Sequence, residues 1–261
     1  MLEIDDQPDV VTVAFAHGKV NALDLELLRA VADEFRGRAA DPRPVVLTGR
    51  GRAFSAGVDL HRLVDGGTDY VRRFMPALSD AFLAVFEHPA PVVAAINGHA
   101  LAGGCIFAMA GDVRIAAGGS GTLGVTELVV GVPFPVTPLE ILRHAVGDAV
   151  ASHLVLTARR VDVVEAHRLG LVHEVVHAAE LTAAAARRAR ELGGLDTTPY
   201  RFAKEQLRRE SLDRIARGRE QRDPAVNAVW EAPETASAIQ GYLDLLRERR
   251  PPDDVRNPEA T

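Results

Sequence analysis

Pro91-Val92-Val93-Ala94-Ala95-Ile96-Asn97-Gly98-His99-Ala100-Leu101-Ala102-Gly103-Gly104-Cys105 reads as a buried strand, a turn of small residues and the start of a helix. The run Val92–Ile96 is short and wholly apolar, as a strand covered on both faces should be. Asn97-Gly98 marks the turn, and a helix is predicted over 102–110. A second stretch repeats the design. Val45-Val46-Leu47-Thr48-Gly49 leads through Arg50-Gly51-Arg52 into Ala53-Phe54-Ser55-Ala56-Gly57-Val58-Asp59-Leu60. The first N–H groups of a helix have no intrahelical partner, and small residues around them let a ligand approach closely. Two such turns converging on one point would offer paired donors to a carbonyl oxygen that becomes negative during a reaction. Either turn alone reads more simply as the ordinary use of glycine in a tight connection. Gly49 and Gly51 begin a dinucleotide-binding fingerprint, but Phe54 stands where its third glycine belongs.

Outward from these turns, strands are predicted over 10–15, 45–47, 113–116 and 171–176. Helices are predicted over 21–35, 71–87 and 165–169, with a helical or irregular segment from Asp59 that breaks at Gly66-Gly67. Thr137, Pro138 and Glu140 form an N-cap, a first helical residue and a closing capping box. Strands alternating with helices over about 190 residues predict an α/β architecture. After Gly193-Gly194 and Pro199 the pattern turns helical, charged and strand-free. A boundary near 195 therefore divides a core over 1–195 from a helical region over 196–261, whose last residues, 249–261, read as a frayed tail.

The words Ala53-Phe54-Ser55-Ala56-Gly57-Val58-Asp59-Leu60 and Ala95-Ile96-Asn97-Gly98-His99-Ala100-Leu101-Ala102-Gly103-Gly104-Cys105 resemble the two signature blocks of the crotonase superfamily, the enoyl-CoA hydratase/isomerase family. The resemblance continues through Gly111-Asp112-Val113-Arg114-Ile115-Ala116, Leu123-Gly124-Val125-Thr126-Glu127, Ala166-His167-Arg168-Leu169-Gly170-Leu171-Val172 and Ala203-Lys204-Glu205. It also takes in Lys19-Val20-Asn21-Ala22-Leu23. It implies a spiral core of repeated ββα units and a helical C-terminal region that packs in a homotrimer, two of which stack as a hexamer. It implies an acyl-CoA thioester substrate, coenzyme A being part of that substrate and no separate cofactor being required. By position it assigns the oxyanion-hole N–H groups to Val58 and Gly103. It carries substrate and CoA contacts to Lys19, Val20, Ala22, Ala56, Asp59, Leu60, His61, Ile106, Thr126 and Val132.

In the hydratase branch two glutamates act together. The first of those positions is Ile106 here, and the second matches Glu127. Glu127 is the sole acidic residue between Asp112 and Glu140, and its sequence neighbours are apolar. An apolar setting raises a carboxyl pKa and suits it to accept and return a proton. A single glutamate beside an oxyanion hole resembles the Δ3-Δ2-enoyl-CoA isomerase branch, in which one carboxyl removes a proton at C2 and reprotonates C4. Two alternatives stay open: hydration with Glu127 and an unusual water arrangement, and a non-catalytic scaffold that binds acyl-CoA or RNA. The dehalogenase branch places an acidic nucleophile where Pro135 stands. His61, His99 and His144 are further candidate bases, His99 more simply a packing residue of the signature turn; Asp59 reads as a helix cap and Cys105 as an inert buried thiol.

The composition bounds the partners. The chain has 261 residues, 47% hydrophobic and 25% charged, with 30 basic against 36 acidic side chains and a formal net charge of −6. That balance disfavours bulk attraction to nucleic acid. Lys19 and Lys204 are the only lysines, so the lysine-rich helix through which some family members bind RNA is absent. From His88 to Gly111 no charged residue occurs, but Pro89, Pro91, Asn97, Gly98, Gly103 and Gly104 interrupt the run, so no membrane span is expected. One cysteine and an acidic N-terminus point to a reducing, cytoplasmic setting. No His/Cys/Asp spacing suits a metal.

Overall fold

The main sheet holds six strands side by side, numbered here in chain order: β1 (Leu2–Asp6), β2 (Val11–Phe15), β3 (Val45–Gly49), β5 (Val92–Ile96), β7 (Val113–Ala117) and β10 (Glu174–Val176). β1 runs antiparallel to β2, and the other pairings are parallel. The computed structural model describes residues 1–248, so the tail expected over 249–261 lies outside the described residues. A smaller sheet holds β4 (Ala53–Ser55), β6 (His99–Leu101), β8 (Thr122–Gly124) and β9 (Arg160–Asp162), parallel except where β9 meets β8.

Three helices complete the repeat: α2 (Leu60–Phe86), α3 (Gly103–Ala110) and α4 (Glu127–Val130). Three times in succession the chain runs a main-sheet strand, a small-sheet strand and a helix: β3–β4–α2, β5–β6–α3, β7–β8–α4. This is the ββα repeat that the resemblance implies, and the α/β reading holds. The apolar run of β5 follows from burial on both faces. Val92, Ala94 and Ile96 enter the large core, while Val93 and Ala95 enter a second one with Leu181, Ala185 and Ala189 of α7 (Leu181–Gly193). Sheets covered by helices on both sides carry such continuous apolar strands.

Four phenylalanines tie the layers together. Phe15 of β2 meets Phe54 of β4 and Phe107 of α3, each at 5.4 Å between ring centroids, and Phe107 meets Phe82 of α2 at 4.7 Å. Such pairs contribute about 0.5–1.5 kcal/mol each beyond their burial. The main sheet, the small sheet and the two helices that follow the glycine turns are thereby packed as one body.

Local expectations shift in two places. The helix predicted from Asn21 starts later, as α1 (Leu25–Gly37), with Asp24 as its cap. Asn21 has a left-handed backbone, φ 52°. Its Nδ2 donates to the carbonyls of Arg50, Ala53 and Phe54 at 2.9–3.2 Å, tying the 19–23 loop to the first glycine turn. The predicted capping box at Thr137 is not formed. α5 (Val136–Thr157) already includes Thr137, which is fully buried with its hydroxyl unpartnered. The helix start is satisfied instead by Asp223, whose Oδ1 accepts the Val136 N–H at 2.9 Å. Glu140 turns to Arg143 and Arg214. The break at Gly66-Gly67 appears as a kink within α2, where Gly67 has φ 60°.

After α6 (Val163–Arg168) and β10, the described residues hold only helices: a 3-10 turn at Ala178–Glu180, α7, α8 (Thr197–Gln221), α9 (Asp223–Trp230) and α10 (Pro233–Glu248). Asp112, just before β7, fixes α8 through Lys204 Nζ and Arg208 Nη2, each at 2.7 Å. Burial opposes the Asp112 charge, but Lys204 and Arg208 outweigh it and hold the carboxyl below its usual range. Burial pushes the Lys204 ammonium down to about 8 against that same attraction. Nearby, Arg114 is 4% exposed and donates to the carbonyls of Leu171, Gly170 and Gly111, at the ends of α6 and α3.

Candidate active site

The two glycine turns touch. Leu23 N–H donates to Gly57 O at 2.8 Å and Asp59 N–H donates to Leu23 O at 2.9 Å, so Leu23 and Val58 form a parallel bridge. In that pairing the Val58 N–H points away from Leu23. Gly103 opens α3, where its N–H has no intrahelical acceptor. Among the described residues neither N–H has a protein acceptor. Gly57 has φ 89°, and a β-carbon on it would lie 2.8 Å from Ala102 Cβ and 3.5 Å from the Gly103 nitrogen. Only glycine allows this approach. Gly104 is equally confined, since its β-carbon would fall 2.3 Å from Ser55 O. Ala102 itself sits at φ 49°, ψ −125°, held there by its N–H to Gly124 O and its carbonyl to Ile106 N–H. Strain of this kind costs about 1–3 kcal/mol and persists where the surroundings over-determine it.

Glu127 begins α4, a four-residue helix that Gly131 closes in the left-handed conformation, φ 86°. Val132 N–H returns to Glu127 O at 3.1 Å. Glu127 is half-buried, and its Oε2 is shielded from solvent without a hydrogen-bond partner among the described residues. Burial pushes its pKa up to about 7, against the backbone N–H groups of Glu127 and Thr126 that favour the charged form. A carboxyl poised there exchanges protons readily near neutral pH.

Glu127 opens into a cavity of about 610 Å³. Of the residues singled out from the sequence, Val20, Ala22, Ala56, Val58, Asp59, Leu60, His61, Thr126, Glu127 and Val132 line it. Lys19 is exposed and outside that lining, and Gly103 is buried and also outside it. Ile106, expected against a substrate, is fully buried in the main core and does not line the cavity, because α3 is enclosed on all sides. Asp59 accepts the Arg62 N–H at 3.1 Å, the cap of α2. His99 Nδ1 lies 2.9 Å from Thr122 Oγ1. His144 stands edge-on to Phe86 and is not part of the lining. Cys105 is fully buried, and burial pushes its thiol up to about 12.

The sequence reading missed one wall. Trp230, Tyr242, Leu243 and Leu246 of α9 and α10 line the same cavity, as do Arg52, Val130 and Arg160. Ile239, Tyr242, Leu243 and Leu246 recur at the i, i+3, i+4, i+7 spacing of an amphipathic helix, which is the signal that marks this face. Among the described residues no group of three or more His, Cys, Asp or Glu side chains could hold a metal ion, and no helix is long and apolar enough to cross a membrane. The cavity brings together the Val58 backbone beside the Gly103 turn, one carboxyl pushed up to about 7 and apolar walls. It suits proton transfer beside a carbonyl whose oxygen takes on charge.

Residues 5–253 match the family model described as enoyl-CoA hydratase/isomerase. The chain is 39% identical over 188 residues to a Thermus thermophilus protein whose name carries the words enoyl-CoA hydratase, covering 70% of this chain and 72% of that one. It is 34% identical over 213 residues to a Mycobacterium tuberculosis protein named as a methyl-dioxo-hexahydroindene-carboxyl-CoA hydrolase, covering 80% and 84%. In three dimensions it is similar to human mitochondrial Δ3-Δ2-enoyl-CoA isomerase, with a TM-score of 0.90 over 96% of this chain and 99% of that one, at 23% identity. At that identity the likeness is one of fold.

Proposed function

The chain belongs to the enoyl-CoA hydratase/isomerase family and is an acyl-CoA enzyme of that family; on that premise we propose that it shifts an acyl-CoA double bond from C3 to C2. The observation that carries this reading is the count of free carboxyls in the cavity. Among the described residues two carboxylates line it, and Asp59 is engaged as a helix cap, which leaves Glu127. The thioester oxygen accepts from Val58 N–H and Gly103 N–H. Glu127 takes the C2 proton, the dienolate is held by the two donors, and the same carboxyl returns the proton at C4. One group serves both ends of the transfer, so no second acid is required. Coenzyme A enters as part of the substrate, and the reaction needs no further cofactor.

Hydration is the second reading, favoured by the names that several relatives carry. It calls for a second group to position water, and the side chain at the corresponding place in α3 is Ile106, buried and apolar. Purified protein separates the two. Conversion of 3-hexenoyl-CoA to its 2-enoyl isomer reports isomerisation, and loss of crotonyl-CoA absorbance reports hydration. Glu127→Gln lowers isomerase turnover by about 10²–10⁴-fold; isomerase turnover that survives this substitution intact overturns the assignment.

The remaining expectations belong to the same reading. A homotrimer, or a hexamer of two trimers, is supported by large apolar side chains left in water: Phe202 and Leu207 on α8 and Leu156 on α5 are 53%, 73% and 75% exposed. Light scattering on the purified protein tests it. The cytoplasm is the setting that suits a single free cysteine. RNA is not a partner, and a filter-binding measurement checks that.

A further inference from the structure

We propose that Ser55 is a positioning residue that aims the oxyanion donors, an inference that rests on reading Val58 and Gly103 in that role. The Val58 N–H belongs to the peptide plane that follows Gly57. Glycine has no β-carbon to restrict its own dihedrals, so the direction of that N–H is set by what holds the two planes flanking Gly57. The plane after it is held at its oxygen, where Leu23 N–H donates to Gly57 O at 2.8 Å. The plane before it is held at its nitrogen, where Gly57 N–H donates to Ser55 Oγ at 3.2 Å. Remove the hydroxyl and one of the two anchors is gone.

The hydroxyl is oriented for that task. It has one proton and two lone pairs, and Ser55 is fully buried. Its Oγ donates the proton to Asn21 O at 2.7 Å, which leaves the lone pairs for Gly57. Asn21 cannot drift, because its Oδ1 accepts the His17 N–H at 2.9 Å while its Nδ2 binds the carbonyls of Arg50, Ala53 and Phe54. Ser55 reaches the second turn through its other atoms. A β-carbon on Gly104 would fall 2.3 Å from Ser55 O and 2.8 Å from Ser55 Cβ, so the main chain of α3 rests against this residue directly after the Gly103 donor. One side chain is thus bonded to the first turn while its own backbone supports the second.

The test reads the substrate carbonyl itself. Hexanoyl-CoA labelled with carbon-13 at C1 is saturated and undergoes neither isomerisation nor hydration, and isotope-edited infrared spectra isolate its C=O stretch. Two aligned donors lower that frequency. Bound to the wild type, the stretch should fall below its value in water. In Ser55→Ala it should return part of the way, and in Ser55→Cys, whose thiol is a weaker donor and acceptor, it should stand between. With 3-hexenoyl-CoA, kcat of Ser55→Ala should drop about tenfold with KM held, because the donors matter most where the oxygen carries charge. Loss of a whole donor costs more, about 10²–10³-fold. An unmoved stretch in folded Ser55→Ala overturns the proposal, and a lowered Tm beside it marks Ser55 as structural only. Should Ser55→Ala fail to fold, Ser55→Cys decides, and a wild-type stretch there overturns the proposal. A wild-type protein that fails to bind hexanoyl-CoA, or binds it with the stretch as in water, overturns the donor reading itself.

Discussion

A β-carbon on Gly57 would lie 2.8 Å from the β-carbon of Ala102, the residue just before Gly103 in the neighbouring turn. The gap between the two proposed donors is set by that contact. Gly57→Ala adds the forbidden carbon at φ 89° and pushes the turns apart. We expect a folded protein by circular dichroism whose kcat/KM is lower by about 100-fold, as a misplacement of about 1 Å produces. Unchanged turnover in that variant contradicts the assignment of donors to these turns.

The pH profile follows from the Glu127 carboxyl, held near 7 by burial. Proton removal needs the carboxylate. The isomerase kcat/KM therefore climbs as pH rises and levels off above an inflection at about 7, whereas an unburied glutamate would place it near 4.3. Initial rates across the range locate the inflection, and one near the lower value removes burial as the cause.

The same burial has an opposite effect on stability. A carboxyl whose folded pKa is raised stabilises the fold fully below its unfolded value and loses that contribution as pH rises through the folded value, here from 4.5 to about 7. The linked cost at alkaline pH reaches about 3 kcal/mol at most. Glu127→Gln carries no charge to bury. Its Tm should exceed that of the wild type at about pH 8 and approach it at about pH 5. Equal melting temperatures at both pH values would falsify the enclosed state of the carboxyl.

Arg114 makes a separate prediction about the fold. Its guanidinium satisfies the carbonyls of Gly111, Gly170 and Leu171, and burial pushes it down to about 10. Arg114→Met preserves much of the packing and orphans those acceptors. Urea unfolding should show a loss of roughly 3 kcal/mol with m unchanged. A midpoint within error of wild type would mean that water reaches these carbonyls.

The two glycine turns, and the proposed acid, were legible in the sequence because each is a local pattern: strand, small residues, helix start, and a carboxyl among apolar neighbours. What it hid depends on distant parts of the chain. Thr137-Pro138-Glu140 has the local chemistry of a capping box, yet Asp223 caps the Val136 N–H from across the fold, so the helix begins one residue before Thr137. Ile106 was placed at the substrate by position, but α3 turns that side chain into the core. The 1–195 and 196–261 division treated the helical region as a surface for other copies. Trp230 and the Tyr242–Leu246 face also reach the cavity of their own chain, an arrangement that the helical stripe permits and cannot by itself aim.

The placement of that wall has an evolutionary consequence. The proposed acid and donors come from one portion of the chain, between Gly57 and Glu127, whereas another wall of the cavity comes from α9 and α10. Substitutions in the last two helices can therefore reshape the cavity while leaving the proposed acid and donors in place. Diversification of substrate and preservation of mechanism are free to proceed at different rates within a single gene.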